Sequence, residues 1–254
     1  RSTSSYLVEE DDRSIMFDCG YLAPHSLRRL LDKEGRSLVD VPQAIYISHF
    51  HGDHFAGTSA LLMPLWEEIN GIVGTDKRGL ERKLTIASVH PDIKQKVMDN
   101  MEDYPTFLDK MGKEGPDITY QVLNPDRDQL NGIYFKAAKT VHGLSNYAAI
   151  FTGRDGKRVA ISGDGSFSDA SEEAFKGVDV LVHEGFYVDT DHPNHASIKN
   201  VAEYAARAEI PRVAITHVNR EERARQQEIQ AIIEKAAARG INMFLPKDHQ
   251  VIHI

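Results

Sequence analysis

Short apolar runs near the start of the chain predict a β-hairpin. Residues 5–8 and 14–17 form the two runs, and the charged residues 9–13 separate them. Residues 44–48 form a third compact apolar run, which is typical of a buried strand. This run leads directly into a polar cluster at residues 49–54. The pattern therefore places the cluster at the C-terminal end of a strand, where α/β proteins build their sites.

The rest of the chain alternates between strand and helix patterns. Apolar residues at helical spacing predict helices around residues 198–205 and 229–237, and Gly240 follows the second where a left-handed residue is favoured. Residues 91–117 predict a surface helical segment. Further strands are predicted at residues 118–123, 133–137, 148–152, 158–162, 178–182, 212–216, 244–245 and 251–254. Hairpins and crossovers without a break favour one domain over residues 1–254, with a two-layered sheet core and outer helices.

Composition narrows the class of protein. The 254 residues are 41% hydrophobic and 27% charged, which excludes a disordered or fibrous chain. No apolar run approaches the roughly 18 to 20 residues that a membrane span needs. The net charge of −8 should repel polyanions, so nucleic acid is not an expected partner. Cys19 is the single cysteine, and the chain begins at Arg1 without a charged-then-apolar leader, so we expect a cytoplasmic protein.

The candidate chemistry lies in the motif His49-Phe50-His51-Gly52-Asp53-His54. Alternate residues of an extended segment point to one side, so His49 and His51 can hold one metal ion. Asp53 and His54 lie beyond the Gly52 bend and can address another. Three further residues with suitable side chains each follow an apolar run downstream, namely His142, Asp164 and His217.

These residues resemble the metallo-β-lactamase fold hydrolases, and within them the tRNase Z and related phosphodiesterase branch. The matching motifs are Asp18-Cys19-Gly20, the histidine cluster, Ser162-Gly163-Asp164, His183-Glu184, His195-Ala196-Ser197 and Thr216-His217. The resemblance implies an αββα sandwich with two metal ions. By this resemblance His49, His51 and His142 hold one ion; Asp53, His54 and His217 hold the other; Asp164 bridges both; and Asp18 orients a ligand.

Two divalent cations near one another lower the pKa of a shared water and neutralise charge on the attacked group, so hydrolysis is the expected reaction. Nitrogen and carboxylate ligands favour zinc, with manganese or iron as alternatives. The resemblance implies His195 as the acid that protonates the leaving group and Glu184 as its orienting partner, with Asp53 also counted as catalytic. His183 is either structural or supports a ligand, and Arg220 could reach a substrate phosphate.

The substrate is less well specified. Residues 21–24 and Gly165 depart from the tRNase Z pattern, and residues 101–105 and 114–117 are acidic where that family carries a basic arm. We therefore expect a small phosphodiester or nucleotide-like substrate. A homodimer is possible by the resemblance to phosphodiesterases. The alternative is a carboxylic ester, lactone or thioester. A tRNA 3′-processing endonuclease and a non-catalytic metal-binding scaffold are less favoured.

Overall fold

The computed structural model describes residues 4–71, 82–101, 116–190 and 192–254. The chain divides into two compact units. One comprises Arg1–Leu123 with Leu130–Gly132, and the other comprises Asn124–Gln129 with Ile133–Ile254. The single domain over residues 1–254 stays a prediction.

The first unit carries a five-stranded sheet. Its strands follow one another in sequence order: β1 (Tyr6–Glu10), β2 (Arg13–Phe17), β3 (Ala44–Tyr46), β4 (Lys83–Ser88) and β5 (Asp117–Val122). β1 and β2 form the predicted antiparallel hairpin, whereas β2 to β5 are parallel. The C-terminal ends of β2, β3 and β4 therefore share one edge of the sheet, and polar residues follow the first two of these ends.

In the described part of this unit, four helices accompany the sheet: α1 (Ala23–Glu34), α2 (Gly52–Phe55), α3 (Gly57–Ile69) and α4 (Ile93–Asn100). Leu27 and Leu31 of α1 and Leu61 and Leu65 of α3 are buried in one core with Ile45 of β3. Their spacing places these leucines on one face of each helix, which explains why both helices pack on the sheet.

The second unit carries a seven-stranded sheet. In spatial order its strands are β12 (Asn242–Phe244), β11 (Arg212–Thr216), β10 (Val180–Glu184), β9 (Arg158–Ile161), β8 (Tyr147–Thr152), β7 (Ile133–Lys139) and β6 (Asp128–Leu130). β9 to β12 are parallel, and β8 is antiparallel to both β7 and β9. Strands β7, β9, β10 and β11 thus end at the same edge.

The helices of the second unit are α5 (Asp169–Phe175), α6 (Ile198–Arg207) and α7 (Gln226–Ala237), with a 3₁₀ turn at Glu222–Ala224. Ser168 and Ser171 form a capping box at the start of α5, and Ser197 caps α6. Val201 and Ala205 of α6 and Ile229 of α7 enter a second core, distinct from that of the first unit.

Most of the predicted elements are confirmed. The strand at 212–216 matches β11, and Gly240 adopts the left-handed conformation with φ of 81°. The closing strand at 251–254 is wrong: Val251 is 65% exposed, so its apolar character is not accompanied by burial. Of the predicted helical segment 91–117, α4 is present, while residues 102–115 lie outside the described residues. Among the described helices, none is both long and apolar enough to cross a membrane.

Gly57, the first residue of α3, contacts the segment that follows β2, and this contact can be tested. Its N–H donates to the Cys19 carbonyl at 2.8 Å. A Cβ at Gly57 would lie 2.1 Å from the Gly20 carbonyl oxygen, so backbone would have to shift. We expect Gly57→Ala to lower the free energy of unfolding by about 1–3 kcal/mol, the range for overpacking, as measured by urea unfolding. Gly143→Ala is the control, because its Cβ would meet nothing within 4 Å; equal losses in both variants would contradict this explanation.

Candidate metal centre

A buried aspartate organises the polar cluster of the first unit. Asp18 follows β2 with φ of 58° and is fully buried. Its carboxylate accepts hydrogen bonds from the Ser48 N–H and hydroxyl, both at 2.8 Å, and pairs with His54 Nδ1 at 2.6 Å. A carboxylate at Nδ1 fixes the tautomer of an imidazole and directs Nε2 toward a metal. Asp18 thus contacts a predicted ligand in the way expected of an orienting group.

The remaining donors of this unit form two pairs. His49 Nδ1 lies 3.0 Å from the Ser48 hydroxyl, which itself donates to Asp18, so Nε2 is the atom through which His49 would bind a metal. His49 Nε2 and His51 Nδ1 are 3.0 Å apart, close to the roughly 3.3 Å between two nitrogens of a tetrahedral zinc site with 2.0–2.1 Å bonds. Asp53 Oδ2 lies 3.8 Å from His54 Nε2. These are the two pairs that the sequence predicts, with each pair binding one ion.

Asp18 and the neighbouring Cys19 are both buried away from water. Burial raises the pKa of Asp18, against the charge and hydrogen bond of His54 and the hydrogen bonds of Ser48, which lower it. Burial, with the nearby Asp18 charge, also raises the pKa of the Cys19 thiol. Because a thiolate is the form that binds metal or attacks a substrate, the neutral Cys19 is a packing residue.

In the second unit one carboxylate faces two imidazoles. Asp164, in the loop after β9, is buried with its Oδ2 at 3.9 Å from His142 Nε2 and its Oδ1 at 3.6 Å from His217 Nε2. His142 Nδ1 donates to the Asn194 carbonyl at 3.1 Å, which leaves Nε2 as the atom on the Asp164 side. A carboxylate with one oxygen directed to each imidazole is suited to bridge two ions.

Glu184 ends β10 and is fully buried. Its Oε1 accepts the Gly165 N–H at 2.8 Å and the Ala196 N–H at 3.0 Å. Its Oε2 lies 3.0 Å from His195 Nδ1 and 3.6 Å from His217 Nδ1. One side chain therefore links the loop after β9, the segment before α6 and the histidine after β11.

The structure explains why glycine follows Asp164. Gly165 has φ of 114°, a conformation that side chains rarely adopt. A Cβ there would lie 2.5 Å from Thr140 Oγ1 and 2.8 Å from the Val141 carbonyl oxygen. A larger residue at this position would not fit this loop, which explains the departure from the tRNase Z pattern.

His183 and Arg220 differ in their surroundings. His183 is fully buried, donates from Nδ1 to the Glu184 carbonyl at 2.8 Å and stacks on Phe167 with ring centroids 4.4 Å apart. Burial lowers the pKa of His183, which keeps it neutral. Arg220 is exposed in the loop after His217.

Sequence reasoning missed two aromatic neighbours of His195. The Phe186 ring stacks on the His195 imidazole with centroids 4.3 Å apart, and the His192 ring lies 5.6 Å from it. Phe186 stands two residues after Glu184 in the sequence. This short separation from the predicted partner of His195 was the signal that Phe186 lies near the site.

Comparison with known proteins decides the family. The sequence matches the Beta-lactamase superfamily domain over residues 13–218, which is most of the chain. The chain belongs to the metallo-β-lactamase superfamily. This metallo-β-lactamase superfamily member is a metal-dependent hydrolase, and the predicted αββα fold class is confirmed.

Three similar proteins illustrate the branch. Ribonuclease Z of Bacillus cereus strain AH187 is 27% identical, with 84% of this chain and 80% of that protein covered. The metallo-β-lactamase fold protein YhfI from Bacillus subtilis superposes with a TM-score of 0.69 at 21% identity, covering 97% of this chain and 89% of that chain. A diphosphatase from the PhnP family superposes with a TM-score of 0.62 at 19% identity, covering 86% and 74%. The similarity to ribonuclease Z confirms the predicted resemblance to the tRNase Z-like branch.

The donor set fits the divalent ions that this superfamily implies. Each unit brings together imidazole nitrogens and carboxylate oxygens within reach of one another, including Asp18, His49 and His54 in the first and Asp164, Glu184 and His217 in the second. Hard and borderline donors of this kind suit zinc, manganese or iron. The assignment of individual ligands to two ions stays a prediction.

Asp164 is the residue through which that assignment can be tested. Because one carboxylate would serve both ions, we expect Asp164→Ala to lose both metals and all measurable activity together. Elemental analysis after dialysis, with Asp155→Ala in the exposed β8–β9 turn as the control, checks this. Two tightly bound metals in the Asp164→Ala protein would remove the bridging assignment.

Proposed function

We propose that this superfamily member is a phosphodiesterase that hydrolyses a small phosphodiester or nucleotide-like compound, with two zinc ions favoured and manganese or iron as alternatives. When bound, such ions lower the pKa of a water and neutralise charge on a phosphate. The residues that would hold them are His49, His51, Asp53, His54, His142, Asp164 and His217. The proposed partner is a small molecule and not a nucleic acid.

The acid that a poor leaving group needs is supplied by His195 in this proposal. Its Nδ1 faces the Glu184 carboxylate at 3.0 Å, so Nε2 is the atom that presents a proton to the substrate. Two backbone N–H groups fix the Glu184 carboxylate, so its orientation does not depend on its contact with His195 and it can orient that imidazole.

The observation that favours a phosphate over a neutral ester is the state of the arginines after His217. Arg225 is paired with Asp189 at 2.9 Å and with Glu222 at 3.0 Å. Arg223 Nε donates to the Val218 carbonyl at 2.9 Å. Arg220 makes no hydrogen bond or ion pair with any residue that the structure describes. Its planar guanidinium is therefore available to a phosphate.

Two other substrate classes remain as alternatives. The 27% identity to ribonuclease Z supports a tRNA 3′-processing endonuclease, whereas the net charge of −8 disfavours binding to a polyanion. A carboxylic ester, lactone or thioester is the other alternative, because the same metal chemistry attacks carbonyl carbon.

Paired assays separate these substrates. We expect near two metals per chain and chelator-sensitive cleavage of bis(p-nitrophenyl) phosphate, with little cleavage of p-nitrophenyl acetate or a precursor tRNA. Arg220→Gln should raise KM for the phosphodiester about tenfold, the loss of roughly 1.4 kcal/mol expected for a charged contact. Arg154→Gln, another exposed arginine in the β8–β9 turn, should not. Cleavage of the acetate or the tRNA alone would replace this proposal with the corresponding alternative.

His195→Ala tests the acid. An activated leaving group needs little protonation, so we expect a loss of about 10²- to 10⁴-fold in kcat for a 2′,3′-cyclic nucleotide and a much smaller loss for bis(p-nitrophenyl) phosphate, with metal content unchanged. Equal losses on the two substrates would take His195 out of the acid role.

A further inference from the structure

Phe186 packs its ring against two histidines at once. Its ring stacks on His195 with centroids 4.3 Å apart and planes 23° apart, and on His217 with centroids 5.6 Å apart and planes 29° apart. The planes of His195 and His217 differ by only 7°, with centroids 6.4 Å apart. All three rings are therefore held in nearly parallel orientation.

The hydrogen bond between His195 and Glu184 does not by itself fix the orientation of the His195 ring. Both Nδ1 atoms face Glu184 Oε2, at 3.0 Å for His195 and 3.6 Å for His217. A contact at Nδ1 fixes the position of that one atom of the imidazole. The ring can still rotate about the axis of the contact, because the last side-chain torsion of histidine has a broad energy minimum. A flat surface against the ring face removes that freedom.

The backbone of Phe186 is itself fixed. The Phe186 carbonyl accepts the Asn219 N–H at 3.0 Å, and the Gly185 N–H donates to the Thr216 carbonyl at 2.9 Å. Gly185 cannot be enlarged without contact, because a Cβ would lie 2.7 Å from Ile198 and 2.8 Å from Ile215. Phe186 is thus placed by main-chain bonds and close packing rather than by the histidines that it touches.

We propose that Phe186 is a positioning residue, whose ring holds the His195 imidazole in the plane from which Nε2 protonates the leaving group. This inference rests on the proposed acid role of His195. An aliphatic side chain would fill part of the same volume but would not present a flat face, so the imidazole would turn and its proton would reach the leaving oxygen less often.

Two substitutions separate ring from volume. In Phe186→Leu we expect kcat for a 2′,3′-cyclic nucleotide to fall about 10- to 100-fold and kcat for bis(p-nitrophenyl) phosphate to fall less than about threefold, because misplacement affects only the step that needs the acid. Phe186→Tyr retains the ring and should recover most of the loss. In a His195→Ala background, Phe186→Leu should change neither rate further.

Phe167→Leu is the matched control. Phe167 also stacks on a histidine, His183, with centroids 4.4 Å and planes 30° apart, in the same unit and with similar exposure. It should leave the ratio of the two rates unchanged. If Phe186→Leu lowers both rates equally, or if Phe167→Leu shifts the ratio as strongly, the positioning role is wrong.

A second readout does not depend on activity. In the metal-free protein the ring current of Phe186 should shift the carbon-bound protons of the His195 imidazole upfield, as observed by NMR with His195→Gln to assign them. Phe186→Leu should abolish the shift and Phe186→Tyr should retain it; an unchanged spectrum in Phe186→Leu would overturn the inference. If wild type cleaves esters and not phosphodiesters, the proposed function fails, while nitrophenyl and alkyl acetates still test Phe186 by the same ratio.

Discussion

Each unit buries a carboxylate that accepts several hydrogen bonds, Asp18 after β2 and Glu184 at the end of β10, and a buried charge must be compensated by hydrogen bonds or by an opposite charge. In the first unit Asp18 accepts from the Ser48 main chain and hydroxyl and pairs with His54. In the second, Glu184 accepts from two main-chain N–H groups and pairs with His195. The cost of burying these charges is thus offset only when the surrounding loops take one arrangement. That requirement orders the donor atoms before any ion or substrate binds.

Two close backbone contacts lie beside these same two carboxylates, Asp18 and Glu184. Gly57 brings α3 against the Cys19 and Gly20 carbonyls, beside the residue that orients His54. Gly165 lets the loop after β9 turn against Val141, so that its N–H reaches Glu184. Neither position can carry a Cβ without displacing main chain. The arrangement of the donors is therefore a property of the backbone, and side-chain packing adds to it.

The donor residues could be predicted from the sequence because their chemistry is conspicuous: three histidines and an aspartate within six positions after an apolar strand have no packing explanation. Strand β4 was not predicted, because only Leu84 and Ile86 alternate with the polar residues Lys83 and Thr85 in it, which is a short stretch of strand periodicity. The stacking of Phe186 on His195 could not be predicted, since it depends on the loop conformation after β10. The sequence shows Gly165 only as a departure from the tRNase Z pattern. Its positive φ explains why a glycine stands at this position.

The predicted metal-binding residues cannot by themselves select a substrate, because the same ligand set would serve attack at phosphorus and at carbon. Selection must come from groups outside it. The loop after His217 is held at one end by the hydrogen bond of Asn219 to Phe186 and at the other by Arg225 among its carboxylates. Isolated surface ion pairs stabilise little, but several carboxylates around one guanidinium form a network that limits the paths open to the loop. Arg220 lies between these two restraints. In the proposed reaction it recognises the charge of the substrate, and its loop is anchored to Phe186, the residue proposed to position the acid His195.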